Sequence, residues 1–138
     1  MTLHRTAGRT TAVLAAAVLA VPGCGGPAAR QDAAAAAGTA FEAAIAAGDH
    51  VRACVLLAPQ TRTQLERDEQ KTCPAAFASQ QLPKASGIDR VETYGRQVLV
   101  RMAGDTLFLS LFTGGWKVVA AGCTPRPDQP YDCLIKGA

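Results

Sequence analysis

The distribution of apolar residues divides the chain into a helical first half and a strand-rich second half. Between residues 32 and 82, apolar residues recur at the spacing of an amphipathic helix, as at Ala37, Phe41 and Ala44. Between residues 90 and 121, they alternate with polar residues at the two-residue period of a half-buried strand. Helical segments followed by strands predict an α+β fold.

Caps and breakers subdivide the first half. Asp32 and Asp49 are typical N-cap residues, Gly48 ends the first helix, and Pro59 and Pro83 end later ones. Thr61 is predicted to open the third helix, with Gln64 completing a capping box. The predicted helices cover residues 32–47, 50–57, 62–71 and 74–82.

Short turn sequences subdivide the second half. Gly95-Arg96, Ala103-Gly104-Asp105 and Gly114-Gly115 separate four alternating segments, which predicts an antiparallel meander. The predicted strands cover residues 90–94, 97–102, 106–112 and 116–121. We therefore expect N-terminal helices packed on a curved four-stranded antiparallel sheet. The third strand is apolar on both faces, so its second face is either partly covered by the C-terminal tail or used for contact with a ligand or partner.

The first 23 residues have the parts of a secretory signal peptide. Arg5 and Arg9 make a basic start, an apolar run follows over residues 12–21, and small residues close it. A membrane-spanning helix needs about 20 apolar residues, and this run is half that length. Residues 1–23 are therefore predicted to be removed.

The end of this segment, Val21-Pro22-Gly23-Cys24, resembles the bacterial lipobox. The resemblance implies that Cys24 becomes the first residue of the mature protein and carries a diacylglycerol, although Pro22 departs from the usual residue at its position. Residues 24–32 would form a lipidated tether. The mature protein is then expected outside the cytoplasm, anchored to the cell membrane by its acyl chains.

Charge and cysteines narrow the picture further. Without the signal, twelve basic and eleven acidic residues leave a net charge near +1, which gives no indication of a nucleic-acid partner. Besides Cys24, four cysteines remain, an even number that favours disulfides in an oxidising compartment. Three connectivities are open, and proximity in sequence favours two pairs. The favoured pairs are Cys54–Cys73 and Cys123–Cys133.

The last fifteen residues, 124–138, are expected to form an irregular tail. Pro125, Pro127 and Pro130 argue against regular structure, and the second disulfide would staple the tail to the last strand. The stapled loop either covers a sheet edge, which we favour, or displays polar side chains as a surface. In the second case, the exposed side chains would be those of Arg126, Asp128, Tyr131 and Asp132.

Residues 33–123 resemble the NTF2-like (SnoaL-like, cystatin-like) α+β domains of small actinobacterial lipoproteins. The resemblance rests on Phe41–Asp49, with its helix–Gly–Asp pattern, and on Gly115-Trp116-Lys117-Val118. It implies a cone in which helices lean on the concave side of the sheet, a pocket inside it, and homodimers formed through the sheet. That fold hosts enzymes and binding proteins alike, so it does not assign a function.

No residue set in the sequence indicates catalysis. His50, Asp89, Glu92 and Asp105 each have an ordinary structural explanation, as a helix start, a strand face or a turn. With no CxxC motif and one histidine after the signal, neither a metal nor another cofactor is expected. The sequence therefore favours a lipid-anchored accessory or binding domain at the cell envelope, whose partner is an envelope protein or a small apolar ligand. The alternative is a small NTF2-like pocket enzyme, a hydrolase or isomerase.

Overall fold

The computed structural model describes residues 26–137, and it is an α+β domain with four helices and one five-stranded antiparallel sheet. Residues 1–25, with the signal peptide and Cys24, lie outside the described residues. The helices are α1 (Pro27–Ala46), α2 (His50–Leu56), α3 (Pro59–Glu69) and α4 (Cys73–Ser79). The strands are β1 (Ser86–Tyr94), β2 (Gln97–Ala103), β3 (Asp105–Phe112), β4 (Gly115–Arg126) and β5 (Gln129–Lys136).

Two helix starts differ from prediction, both because a proline opens the helix. Helix α1 begins at Pro27 instead of Asp32, so residues 27–32 of the expected tether are helical. Helix α3 begins at Pro59, which was expected only to end the helix before it. Proline suits the first turn of a helix because its missing N–H has no partner there in any case. The predicted capping box is therefore wrong: Thr61 lies inside α3, and its Oγ1 donates to the carbonyl oxygen of Val119 at 3.0 Å.

The expected irregular tail is also wrong, because most of it is strand. Strand β4 runs on to Arg126, and β5 pairs with it as the last strand of the sheet. Pro125 lies at a register shift, and Pro130 is in an edge strand, two places where a missing backbone N–H costs little. The sheet therefore has five strands in sequence order instead of four.

The core lies between the helices and one face of the sheet. Phe41 of α1 and Leu107 and Leu109 of β3 are fully buried there. Gly38 is buried where α1 meets the sheet, and a Cβ added there would be in ordinary van der Waals contact with Leu107 Cδ1, at 3.5 Å. On the other face of β3, the ring of Phe108 meets Tyr131 of β5 edge-on at 5.1 Å between centroids. Tyr131 therefore covers the sheet instead of being displayed in a loop.

Both disulfides have the connectivity that sequence proximity favoured. Cys54–Cys73 joins α2 to α4, and Cys123–Cys133 joins β4 to β5. None of the helices within residues 26–137 combines the length and apolar character needed to cross a membrane.

Candidate functional site

Two carboxyl groups are buried together where α1 crosses the start of β3. Glu42 retains only 6% of its accessible surface and Asp105 only 7%. Charged side chains are rarely buried to this extent unless they are paired. Neither residue belongs to the two ion pairs that the described residues form, which are Arg62–Glu66 and Arg90–Glu92. The free-energy cost of burying these two carboxyl groups is therefore offset by interactions other than ion pairs.

Hydrogen bonds from backbone N–H groups stabilise the buried carboxylate of Asp105. Its Oδ1 accepts hydrogen bonds from the N–H groups of Thr106 at 2.6 Å and Cys123 at 3.0 Å. Its Oδ2 accepts one from Gly122 at 3.0 Å. The side chain expected to serve a hairpin turn is thus a buried link between β3 and β4. Burial raises the pKa of Asp105, while these three N–H groups and Glu42 act to lower it.

Glu42 avoids a buried charge by holding a proton. Burial raises its pKa most, and the charge of Asp105 and a hydrogen bond to that side chain raise it further. Together these effects move the pKa of Glu42 from 4.5 to about 7, against an opposing hydrogen bond from the backbone of Ala85. A carboxyl group must be protonated to donate to a carboxylate, so at pH below 7 Glu42 holds the proton and Asp105 accepts the bond.

Glu42 opens on a cavity of ≈ 180 Å³, which we call the Glu42 cavity. Its walls include Ile45, Phe77, Leu82, His50 and Lys84. The rings of His50 and Phe77 are nearly parallel, 15° apart with centroids at 6.2 Å. The cavity is below the ~300–1,000 Å³ range of sites for drug-sized ligands, so any occupant is small.

Asp105 opens on a second cavity of ≈ 340 Å³, the disulfide cavity, which Cys123 and Cys133 also line. The segment of residues 80–85, between α4 and β1, separates the two cavities. Gln80, Leu82, Lys84 and Ala85 line the first cavity, and Gln81 and Pro83 line the second. This segment packs tightly on Gly104, where a Cβ would lie 2.5 Å from the carbonyl oxygen of Lys84. The segment therefore covers Glu42 and Asp105, which we call the acid pair, and limits which molecules can reach each carboxyl group.

The candidate residues named from the sequence lie in different parts of the fold. His50 and Asp105 border the two cavities, whereas Asp89 is exposed in β1. Glu92 pairs with Arg90 at 2.7 Å and accepts a hydrogen bond from the hydroxyl of Tyr94, as expected for a solvated strand face. Among the described residues, no group of three or more histidine, cysteine or acidic side chains is placed to hold a metal ion.

Glu42 is the site residue that sequence reasoning missed. The signal for it is its position one residue after Phe41 and four after Gly38, both of which α1 buries against the sheet. A carboxylate on the apolar face of a helix needs a partner, and that partner, Asp105, is 63 residues away. Comparison of the chain with protein-family models, with curated proteins and with solved structures finds no match.

Proposed function

We propose that this chain is a lipid-anchored, extracytoplasmic accessory or binding domain of the cell envelope. The observation that carries the proposal is the pair of disulfides, Cys54–Cys73 and Cys123–Cys133. Disulfides persist in oxidising compartments outside the cytoplasm and are rare inside it. They agree with the secretory pattern of residues 1–23 and with Cys24 as the lipidated residue.

The short distance between the anchor and the fold supports a position close to the bilayer. Helix α1 begins at Pro27, three residues after Cys24, so the tether is shorter than the sequence alone suggested. Three residues of polypeptide span at most about 10 Å, whatever their conformation. The domain would then meet lipids, cell-wall polymers, neighbouring envelope proteins and small solutes, and we propose its partner among these, with homodimerisation through the sheet as one form of contact.

Membrane fractionation of the Cys24→Ser variant tests the anchor. We expect the parent protein in the membrane fraction and the variant released in soluble form, because loss of the acyl chains removes the membrane affinity. Cys54→Ser is a poor control because it breaks a disulfide, so the exposed substitution Asp32→Asn is the matched control and should stay in the membrane. A Cys24→Ser protein that remains in the membrane would contradict the proposal.

The acid pair favours a second candidate, a small pocket enzyme of the NTF2-like kind. A group whose pKa is about 7 is suited to move protons at neutral pH, and Glu42 lines a cavity with His50. Turnover of enolisable ketones or small esters that Glu42→Gln abolishes and Asp32→Asn preserves would favour this candidate. Equal rates with the parent and Glu42→Gln would leave the binding role as the better account.

A further inference from the structure

The two disulfides differ in how an external thiol can reach them. Cys54 and Cys73 retain 3% and 0% of their accessible surface and belong to the core. Cys133 is half-buried in the edge strand β5, and together with Cys123 it lines the disulfide cavity. Thiol–disulfide exchange requires the attacking sulfur to approach one of the two sulfurs, so access separates the two bonds chemically.

The backbone around the accessible disulfide is held by other bonds. Cys123 and Cys133 face each other in the β4–β5 register, and the pairing continues on both sides of them, at Ala121↔Ile135 and at Thr124↔Asp132. The N–H of Cys123 is also held by Asp105 Oδ1 at 3.0 Å. We therefore expect the two strands to stay paired and Cys123 to stay in place when the sulfur–sulfur bond is broken.

We propose that Cys123–Cys133 is a site of thiol–disulfide exchange with a dithiol reductant, a property beyond the proposed binding role. A thiolate of the reductant attacks the Sγ of Cys133, the less buried of the two residues, and the electron pair of the broken bond leaves on Cys123 Sγ. The second thiol of the reductant then resolves the mixed disulfide and releases Cys133. The reductant is oxidised to a disulfide by two electrons, and its two thiol protons end on Cys123 and Cys133.

The charges around the cavity select among thiols. Asp105 and Asp132 both line it, and Asp132 is exposed at its edge. Negative charge there opposes the approach of an anionic thiol more than that of a neutral one. We therefore expect a neutral or basic reductant to reduce this bond faster than an anionic one.

Timed reduction of the purified full chain under native conditions tests the proposal. The protein is treated with dithiothreitol, quenched with acid and alkylated, and the labelled cysteines are assigned by tandem mass spectrometry. We expect Cys123 and Cys133 to be labelled at least about tenfold faster than Cys54 and Cys73, with unchanged far-ultraviolet circular dichroism in the half-reduced species. Equal rates for the two bonds, or reduction only as the protein unfolds, would overturn the proposal.

Two variants make the test specific. The double variant Cys123→Ser/Cys133→Ser should leave the slow reduction of Cys54–Cys73 unchanged, and a marked acceleration would show that the bond is a structural staple. Asp132→Asn should accelerate reduction by 3-mercaptopropionate, an anionic thiol, about twofold or more relative to neutral 2-mercaptoethanol, because one opposing charge is gone. No change in that ratio would overturn the assigned charge selection.

Discussion

Stability should fall between pH 5 and pH 8.5 because the folded protein holds a proton on Glu42. The pKa of this group is about 7 in the folded protein and 4.5 ordinarily, so the native state binds the proton more tightly than the unfolded chain does. The resulting stabilisation is complete below pH 4.5 and is lost as the pH rises through 7. Above that pH, Glu42 carries a charge at a buried position beside Asp105, and among residues 26–137 it forms no ion pair.

The magnitude follows from the size of the shift. Each pKa unit corresponds to about 1.4 kcal/mol, so the shift of Glu42 sets an upper bound of roughly 3 kcal/mol. The Glu42 cavity brings solvent to one side of the carboxyl group, and screening by that solvent reduces the effect. We therefore expect a loss of about 2 kcal/mol in the free energy of unfolding across this range.

Urea unfolding of the oxidised protein at pH 5, 6, 7 and 8.5 measures this loss. In Glu42→Gln the amide can donate to Asp105 as the protonated acid does, but it does not titrate, so this part of the pH dependence should vanish. Asp32→Asn, an exposed change on the same helix, should keep the dependence of the parent. If the parent protein is equally stable at pH 5 and 8.5, Glu42 does not hold a proton with a raised pKa. The same conclusion follows if Glu42→Gln keeps the parent's dependence of stability on pH.

Two further substitutions test the surroundings of the pair. Asp105→Asn places amide hydrogens against backbone N–H donors and should lower the free energy of unfolding by about 2 kcal/mol at pH 7; an unchanged urea midpoint would contradict the hydrogen bonds assigned to Asp105. Gly104→Ala should lower the melting temperature, because φ is +103° and the new Cβ meets the Lys84 carbonyl, whereas Gly114→Ala, with open space around it, should change it little. Equal melting temperatures for the two glycine variants would contradict the tight packing of residues 80–85.

Local chemistry made much of this fold predictable. The change of hydrophobic period marked the boundary between helices and sheet, and glycine-containing turns gave the hairpins of β1–β4. The disulfide pairs followed from proximity in sequence, since each joins cysteines no more than 19 residues apart. These features depend on neighbours along the chain, which a sequence displays directly.

Features that depend on tertiary placement were not predictable in the same way. Proline excludes β5 only if its position needs a ladder N–H, and that depends on which strand is the sheet edge. Likewise, Asp105 looked like a turn residue because its partners Gly122 and Cys123 come from another hairpin. Glu42 gained its role from a carboxyl group 63 residues along the chain, a partner that the periodicity of α1 does not reveal.

The intact mass of the protein extracted gently from its own membrane reports on the lipid anchor and both disulfides in one measurement. We expect the mass of residues 24–138 plus a diacylglyceryl group, with or without amine acylation, less the hydrogens lost to two disulfides. Under native conditions, a retained small molecule would add its own mass and identify the ligand of the binding domain. A chain that still carries residues 1–23, or a mature chain without lipid and with all five cysteines as free thiols, would contradict the lipid-anchored, extracytoplasmic assignment.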